Sequence, residues 1–247
     1  MLPTFSIPKI NNIYPRNNFL NNPLYMQYKN KNSTVRAMPY GLTFYKDFIN
    51  SISLDADFSI GLPTATYTST SGIPVMTNGD YNVTVTNADS LKYSITGNRT
   101  AEHETIVMKF IPAVTWTGDF MDQFLLYDSF RRIYKGGTSS RPRFDANYSQ
   151  STTALVIHSI IPQQNVPYII AAIAVQSNGN PNQRLIVNNS EVYQTDQSTI
   201  DWILPNYSSG YMTIGCSLAN INQFKGKISW IKIFNRVLTS SEILNLS

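Results

Sequence analysis

Glu102-His103-Glu104 is the nearest approach in this sequence to a pair of catalytic carboxylates. Retaining hydrolysis of a glycosidic bond needs two such groups about 5–5.5 Å apart. The triplet stands before a β-prone run rather than inside one, so it reads as a solvated turn. With only 15 Asp and Glu in 247 residues, other candidates are few. His103 and His158 are the only histidines, which rules out a three-histidine zinc site. His158 follows the alternating run Ala154-Leu155-Val156-Ile157 and reads as a satisfied strand residue. Cys216 is the single cysteine, so neither an intrachain disulfide nor a thiolate metal site can form. It reads as a small core hydrophobe. No phosphate-binding loop and no dinucleotide fingerprint is present.

Two further sets could bind rather than react. Trp116, Trp202, Tyr193 and Tyr207 could supply an aromatic platform for a sugar, with Asn188 and Asn189 as amide partners. The competing reading is that a chain with 15 tyrosines exposes some of them in any case. Arg131, Arg132, Lys135, Arg141 and Arg143 are the nearest thing to a basic cluster, and they read as a loop carrying solvated cations. The formal net charge of +4 is spread too thinly for a nucleic-acid partner, which would concentrate charge on one face.

The elements that must position these residues are strands. Hydrophobic residues make up 42% of the chain and charged ones 14%, so Asn, Ser, Thr, Gln and Tyr must cover much of the surface. The start, Met1-Leu2-Pro3-Thr4-Phe5, has no basic and no apolar signal region, so no signal peptide is expected. No apolar run approaches the length of a membrane span, so no membrane insertion is expected. One cysteine fits folding in a reducing compartment.

Residues 1–40 are punctuated by Pro3, Pro8, Pro15, Pro23 and Pro39, which exclude a helix or a central strand. Apolar and aromatic residues recur through the segment, unlike a disordered linker. The reading is an extended N-terminal anchoring arm, with Phe5, Ile7, Ile13, Tyr14, Phe19, Leu20 and Tyr25 as its anchors. They would seat either on the chain's own body or on a neighbouring subunit. From Gly41 onward, short β-prone runs separated by Gly, Asn and Pro indicate a sandwich or barrel. Asn78-Gly79-Asp80 marks a tight hairpin. Thr239-Ser240-Ser241-Glu242 is a capping box opening a short helical turn.

Residues 223–246 carry a resemblance. Phe224-Lys225-Gly226-Lys227-Ile228 continues through Trp230, Ile231 and Ile233 into Asn235-Arg236-Val237-Leu238-Thr239-Ser240-Ser241-Glu242-Ile243, after a strand ending Ile214-Gly215. This order is similar to the concanavalin A-like/laminin-G-like jelly-roll family, and it implies an all-β, two-sheet jelly roll over residues 41–247. Period two puts Ile228 and Trp230 on one face of the last strand and Ile231 and Ile233 on the other. Leu54-Asp55-Ala56-Asp57-Phe58 and Thr64-Ala65-Thr66-Tyr67-Thr68 resemble the opening of bacteriophage virion proteins that carry this jelly roll. That resemblance implies a non-enzymatic virion structural protein, assembled in the host cytoplasm. It would dock on capsid or tail proteins through the arm, as a homo-oligomer by analogy only. The alternatives are a carbohydrate-binding adhesin for a host-surface glycan and, third, a polysaccharide-acting enzyme. No cofactor is implied. Calcium is the ion the family raises, with Asp119 and Asp122, or Asp196 and Asp201, as conceivable ligands that match no known pattern.

Overall fold

The structure, a computed structural model, describes residues 26–29, 35–38, 40–49, 56–59, 65–68, 76–77, 80–83, 90–94, 103–117, 123–128, 131–136, 140–146, 154–175, 183–193, 211–217 and 222–246. The arm anchors Phe5, Ile7, Ile13, Tyr14, Phe19, Leu20 and Tyr25 lie outside them. So do Glu102, Trp202, Tyr207 and the four aspartates considered for calcium, Asp119, Asp122, Asp196 and Asp201. The chain divides into two units, Met1–Tyr40 and Gly41–Ser247.

In the first unit β1 (Met26–Lys29) and β2 (Val35–Met38) pair antiparallel, from Met26↔Met38 to Lys29↔Val35. The sequence reading gives an extended arm here, and this part of it is a two-stranded ribbon. The reason lies in the prolines. None falls between Pro23 and Pro39, so both strands keep the N–H groups a ladder needs.

The second unit contains β3 (Leu42–Asp47), β4 (Phe58–Ser59), β5 (Ala65–Thr68), β6 (Met76–Thr77), β7 (Asp80–Val83) and β8 (Ser90–Ser94). Then follow β9 (His103–Pro112), β10 (Gln123–Tyr127), β11 (Arg131–Lys135), β12 (Pro142–Ala146), β13 (Ala154–Ile157) and β14 (Tyr168–Val175). The chain ends with β15 (Arg184–Val187), β16 (Ser190–Tyr193), β17 (Tyr211–Ile214), β18 (Gly226–Phe234) and α1 (Ser240–Leu244). Among the described residues one sheet has seven strands in the order β13-β12-β11-β10-β17-β8-β5. The other has nine, in the order β16-β15-β14-β9-β18-β3-β4, with β7 also lying along β18 and β6 along β7. Every described pairing between these strands is antiparallel, with one isolated parallel bridge at Phe124↔Gln223, and chain-distant strands such as β9 and β18 are neighbours. This is a two-sheet jelly-roll sandwich of the concanavalin-like kind with a short C-terminal helix.

Alternation places the core. Leu91, Leu126, Ile133, Phe144, Val156 and Ile214 point inward from the seven-stranded sheet. Ile106, Met108, Phe110, Ile170, Leu185, Val187, Ile228, Ile231 and Ile233 point inward from the nine-stranded one. Burying each such side chain fully contributes about 1.5–3 kcal/mol. The grouping on β18 differs from strict period two. The ladder between β18 and β9 shifts register between Ile228 and Trp230, so Ile228, Ile231 and Ile233 share the core face, while Trp230 is absent from the core cluster. A bulge inserts one residue and re-aims everything after it. Gly226 precedes the bulge, where a Cβ would overlap the Ile111 carbonyl oxygen and the Phe224 ring.

α1 closes the chain as its capping box implies. Glu242 N–H donates to Thr239 Oγ1 at 3.3 Å, Thr239 N–H donates to Glu242 Oε2 at 2.9 Å, and Ile243 is buried. The hydrogen bond from Arg236, at 2.6 Å, holds the Glu242 carboxyl down to about 2. Among the described residues no helix is long and apolar enough to cross a membrane.

Two expectations about charge are overturned. His103 and Glu104 do not sit in a solvated turn: they begin β9, where Glu104 is 4% exposed and ion-paired with Arg131. Arg131, Arg132 and Lys135 do not form a loop of solvated cations. They belong to β11, and Arg131 and Lys135 are buried. Arg131 also donates from Nε to Asp128 Oδ2 at 2.7 Å, so one guanidinium holds two carboxylates, and its bond to Glu104 crosses from one sheet to the other. Arg131 and Arg132 lack the solvation the loop reading assumed because acid partners, Glu104 from the other sheet and Asp145 from the adjacent strand, replace the water.

Candidate functional site

The site begins with the turn between β10 and β11. Asp128 N–H donates to Arg131 O at 2.9 Å, and Arg131 N–H donates back to Asp128 Oδ1 at 2.7 Å. That turn fixes the phase of β11: Arg131 and Ile133 face inward, and Arg132 and Tyr134 face out. β12 pairs with it as Arg132↔Asp145 and Tyr134↔Arg143, so all four side chains share the outer face of the seven-stranded sheet. A register shift between Phe124 and Leu126 in β10 adds Phe124 and Tyr127 to the same face, opposite Tyr134 and Arg132.

The six side chains interlock. Phe124 stacks on Tyr134 with centroids 5.1 Å apart and meets Tyr127 edge-on at 5.1 Å. The Arg132 guanidinium lies 5.2 Å over the Tyr134 ring, within cation–π range. Asp145 Oδ2 is the focus. It accepts from Tyr134 Oη at 3.0 Å and from the Arg132 guanidinium, and Arg143 hydrogen-bonds Tyr134 in turn. Asp145 Oδ1 is buried and has no hydrogen-bond partner. Asp145 itself is 2% exposed, whereas the Arg132 side chain is 16% exposed and Tyr127 and Arg143 are half-buried.

The electrostatics follow from this. Desolvation pushes the Asp145 carboxyl up from its usual range, and the charge of Arg132 pulls it back. Desolvation, followed by the Asp145 charge, pushes Tyr134 up to about 12, so its hydroxyl keeps its proton and donates. Gly136 completes the arrangement. A Cβ there would overlap the Nε, Cζ and Cδ atoms of Arg143, so the bare glycine lets the guanidinium lie against the backbone. The cluster's half-buried members are Tyr127, Arg132 and Arg143, which can offer one ring and two guanidinium groups, while Phe124, Tyr134 and Asp145 are buried. Among the described residues no second carboxylate stands at its centre for acid–base work.

Among the described residues, Trp116, Asn188, Asn189 and Tyr193 are not brought together. Trp116 is 1% exposed and stacks on Phe110 at 5.7 Å inside the core, so its ring offers no face to a sugar. Asn188 and Asn189 form the exposed turn of the β15–β16 hairpin at φ 45 and φ 70, backbone values Asn tolerates. Asn188 Oδ1 is already used, accepting from Ile169 N–H at 2.8 Å. Tyr193 closes β16, opposite Arg184 and roughly 10 Å along the strand from that turn. His158 is satisfied: Nδ1 accepts from Ile160 N–H at 3.0 Å and Nε2 bonds Ser190 O at 2.9 Å. Cys216 is buried, and among the described residues no group of three or more His, Cys, Asp or Glu could hold a metal ion. Sequence reasoning passed over Phe124, Tyr127, Tyr134 and Asp145. Their signal was the i, i+2 pairs Arg132/Tyr134 and Arg143/Asp145, which period two puts on one face of each strand.

No protein-family model matches the chain, and no curated protein matches it. Solved structures are similar to it in part. The CBM40 of the Ruminococcus gnavus IT-sialidase bound to α2,3 sialyllactose aligns with a TM-score of 0.46 at 14% identity, over 63% of this chain and 95% of that one. The native heptameric SAP-like pentraxin of Limulus polyphemus aligns at 0.47 and 10% identity, over 66% and 76%. The binding domain of botulinum neurotoxin DC in complex with rat synaptotagmin II aligns at 0.48 and 11%, over 90% of this chain and half of that one. The strand order described above, not these likenesses, makes the chain a jelly-roll sandwich.

Proposed function

We propose that the chain is a non-catalytic carbohydrate-binding module whose contact surface is the outer face of the seven-stranded sheet. The observation that carries this reading is the Asp145 carboxylate. One oxygen is fixed by Tyr134 and Arg132, and the other is a buried acceptor without a donor. A buried acceptor left open costs about 1–3 kcal/mol, which a bound hydroxyl recovers. Tyr127, the half-buried ring of the cluster, supplies the apolar surface on which the C–H face of a sugar ring packs, held by the buried rings of Phe124 and Tyr134, and arginine supplies donors to ring and hydroxyl oxygens. Of the carboxylates nearest to a catalytic arrangement, Glu104 has another role: it holds Arg131 between the sheets.

The test is a broad glycan array probed with the full chain at neutral pH, followed by calorimetric titration of the best responder. Saturable binding that falls at least tenfold in Asp145→Ala supports the reading. Absence of binding across the array overturns it.

A further inference from the structure

We infer that His158 is a pH-sensitive clasp on the seam where the edges of the two sheets meet, and that acid opens this seam locally while the rest of the sandwich stays folded. The seam is a property of the fold and does not depend on what the outer face binds. It is built from edge strands. β13 ends the seven-stranded sheet, β16 ends the nine-stranded one, and β13 lies against β15 and β16. Val156, Leu185 and Val187 close the seam from inside, with Ile160 and Val192 packed against them. His158 follows β13 directly, and its N–H donates to Pro142 O at 2.9 Å, which carries the ladder one residue further. Alternation then sends its side chain to the face of Val156, where His158 is 1% exposed.

The two partners of the ring fix where its proton sits. A backbone N–H can only donate, and a carbonyl oxygen can only accept. Ile160 N–H donates to Nδ1 at 3.0 Å, so Nδ1 carries no proton. Nε2 meets Ser190 O of the β15–β16 hairpin at 2.9 Å, so Nε2 carries the proton and donates it. Only the neutral ring satisfies both partners. A proton added at Nδ1 sets two N–H groups against each other and puts a cation in a buried place. The titratable groups of the strands around it are Arg143 and Asp145 on β12, Arg141 just before it, Arg184 on β15, and Glu191 and Tyr193 on β16. Arg184 pairs with Glu191 at 2.9 Å, and Asp145 is held by Arg132. None of these groups is among the causes that shift His158: burial lowers it, and the Ser190 carbonyl raises it in part. The clasp is therefore whole above the ordinary histidine value of about 6.5 and is lost as pH falls toward the lower folded value. Losing it frees the start of the 159–167 loop from the hairpin that Ser190 anchors.

The experiment is hydrogen exchange on the full-length protein between about pH 7.5 and about pH 5, corrected for the intrinsic pH dependence of exchange. Peptides covering residues 158–162 and 187–192 report on the two sides of the seam. Their protection should fall below about pH 6.5, by up to about tenfold per pH unit, while β9 and β18 stay protected. His158→Gln keeps a donor toward Ser190 O and has no proton to gain, so protection of both segments should no longer depend on pH. His103→Gln changes the other histidine and should leave the wild-type response intact. The nitrogen NMR signals of the His158 ring at neutral pH should be those of the Nε2–H tautomer, a measurement that needs no variant to fold. An Nδ1–H tautomer would overturn the clasp. So would the same acid response in His158→Gln as in the wild type, or its disappearance in His103→Gln. Loss of protection in all strands together would overturn the local opening, because acid would then unfold the whole sandwich.

Discussion

Arg131 and Arg132 are consecutive in β11 and do opposite jobs. Arg131 points between the sheets, is 1% exposed, and grips Asp128 and Glu104. Arg132 points outward and is 16% exposed, reaching Asp145 beside a patch of three aromatic rings. One residue of rise and the pleat of the strand separate a guanidinium that fastens the sandwich from one that lies against Tyr134 and Asp145 on the other face. Charge type therefore does not separate the residue that joins the two sheets from the one in the proposed contact surface. The face of the strand does.

The largest expected effect falls on the inner side. Glu104→Ala removes one of the two carboxylates that hold the buried Arg131 guanidinium, leaving Asp128, and should destabilise the fold by about 3 kcal/mol, read as a drop in the urea midpoint. On the outer side Asp145→Ala should cost only about 1 kcal/mol of stability, because the carboxylate is already penalised by burial, while glycan affinity falls at least tenfold. If Asp145→Ala destabilised as much as Glu104→Ala, the two faces would not differ as argued.

Lys232 gives a contrast of charge on the nine-stranded sheet. Its Nζ sits 4.4 Å over Trp230 and donates to Leu246 O at 3.1 Å, and burial, opposed by Asp47, pushes it down to about 8. The folded state binds fewer protons than the unfolded chain from about 8 up to the normal lysine range, so this group's penalty is present below about pH 8 and is relieved above it. Lys232→Met should therefore stabilise the fold at neutral pH, by about 1 kcal/mol. The advantage should shrink in alkaline buffer, as thermal melts at two pH values would show. Gly136→Ala should displace Arg143 without unfolding the sheet, weakening glycan binding a few-fold while the melt stays in place.

The smallest effect concerns His158. Burial lowers it below its ordinary 6.5, while the bond to Ser190 O raises it only in part. The unfolded chain takes up the proton first, so the stability present above about pH 6.5 is lost as pH falls through the folded value. His158→Gln should flatten the slope of midpoint against pH between about 7 and about 5.

Local patterns gave the fold its legible parts. The Phe224–Ile228 strand, the Thr239 cap and the flanks of Asn78-Gly79 each depend on neighbours a few residues away, and β6 and β7 pair as Thr77↔Asp80 as that turn requires. What sequence reading missed depends on register. The bulges after Phe124 and Ile228 break the period-two phase, and no local residue announces them. Glu104 and Arg131 meet across two sheets, so each looks like an exposed charge when read alone. Trp116 was misjudged for the same reason. Trp116 is a large aromatic in a loop and was read as a platform, yet it fills the core. The rings that share an outer face come from β10 and β11, aligned only by strand pairing.

The measurement that tests the account most directly sets the two faces side by side. Glu104→Gln and Asp145→Ala are each titrated with the best glycan from the array and unfolded in urea. The account predicts that Glu104→Gln loses stability and, while folded, binds as the wild type does. It predicts that Asp145→Ala keeps most of its stability and loses at least tenfold in affinity. Wild-type affinity in folded Asp145→Ala, or a comparable loss of affinity in folded Glu104→Gln, would contradict it.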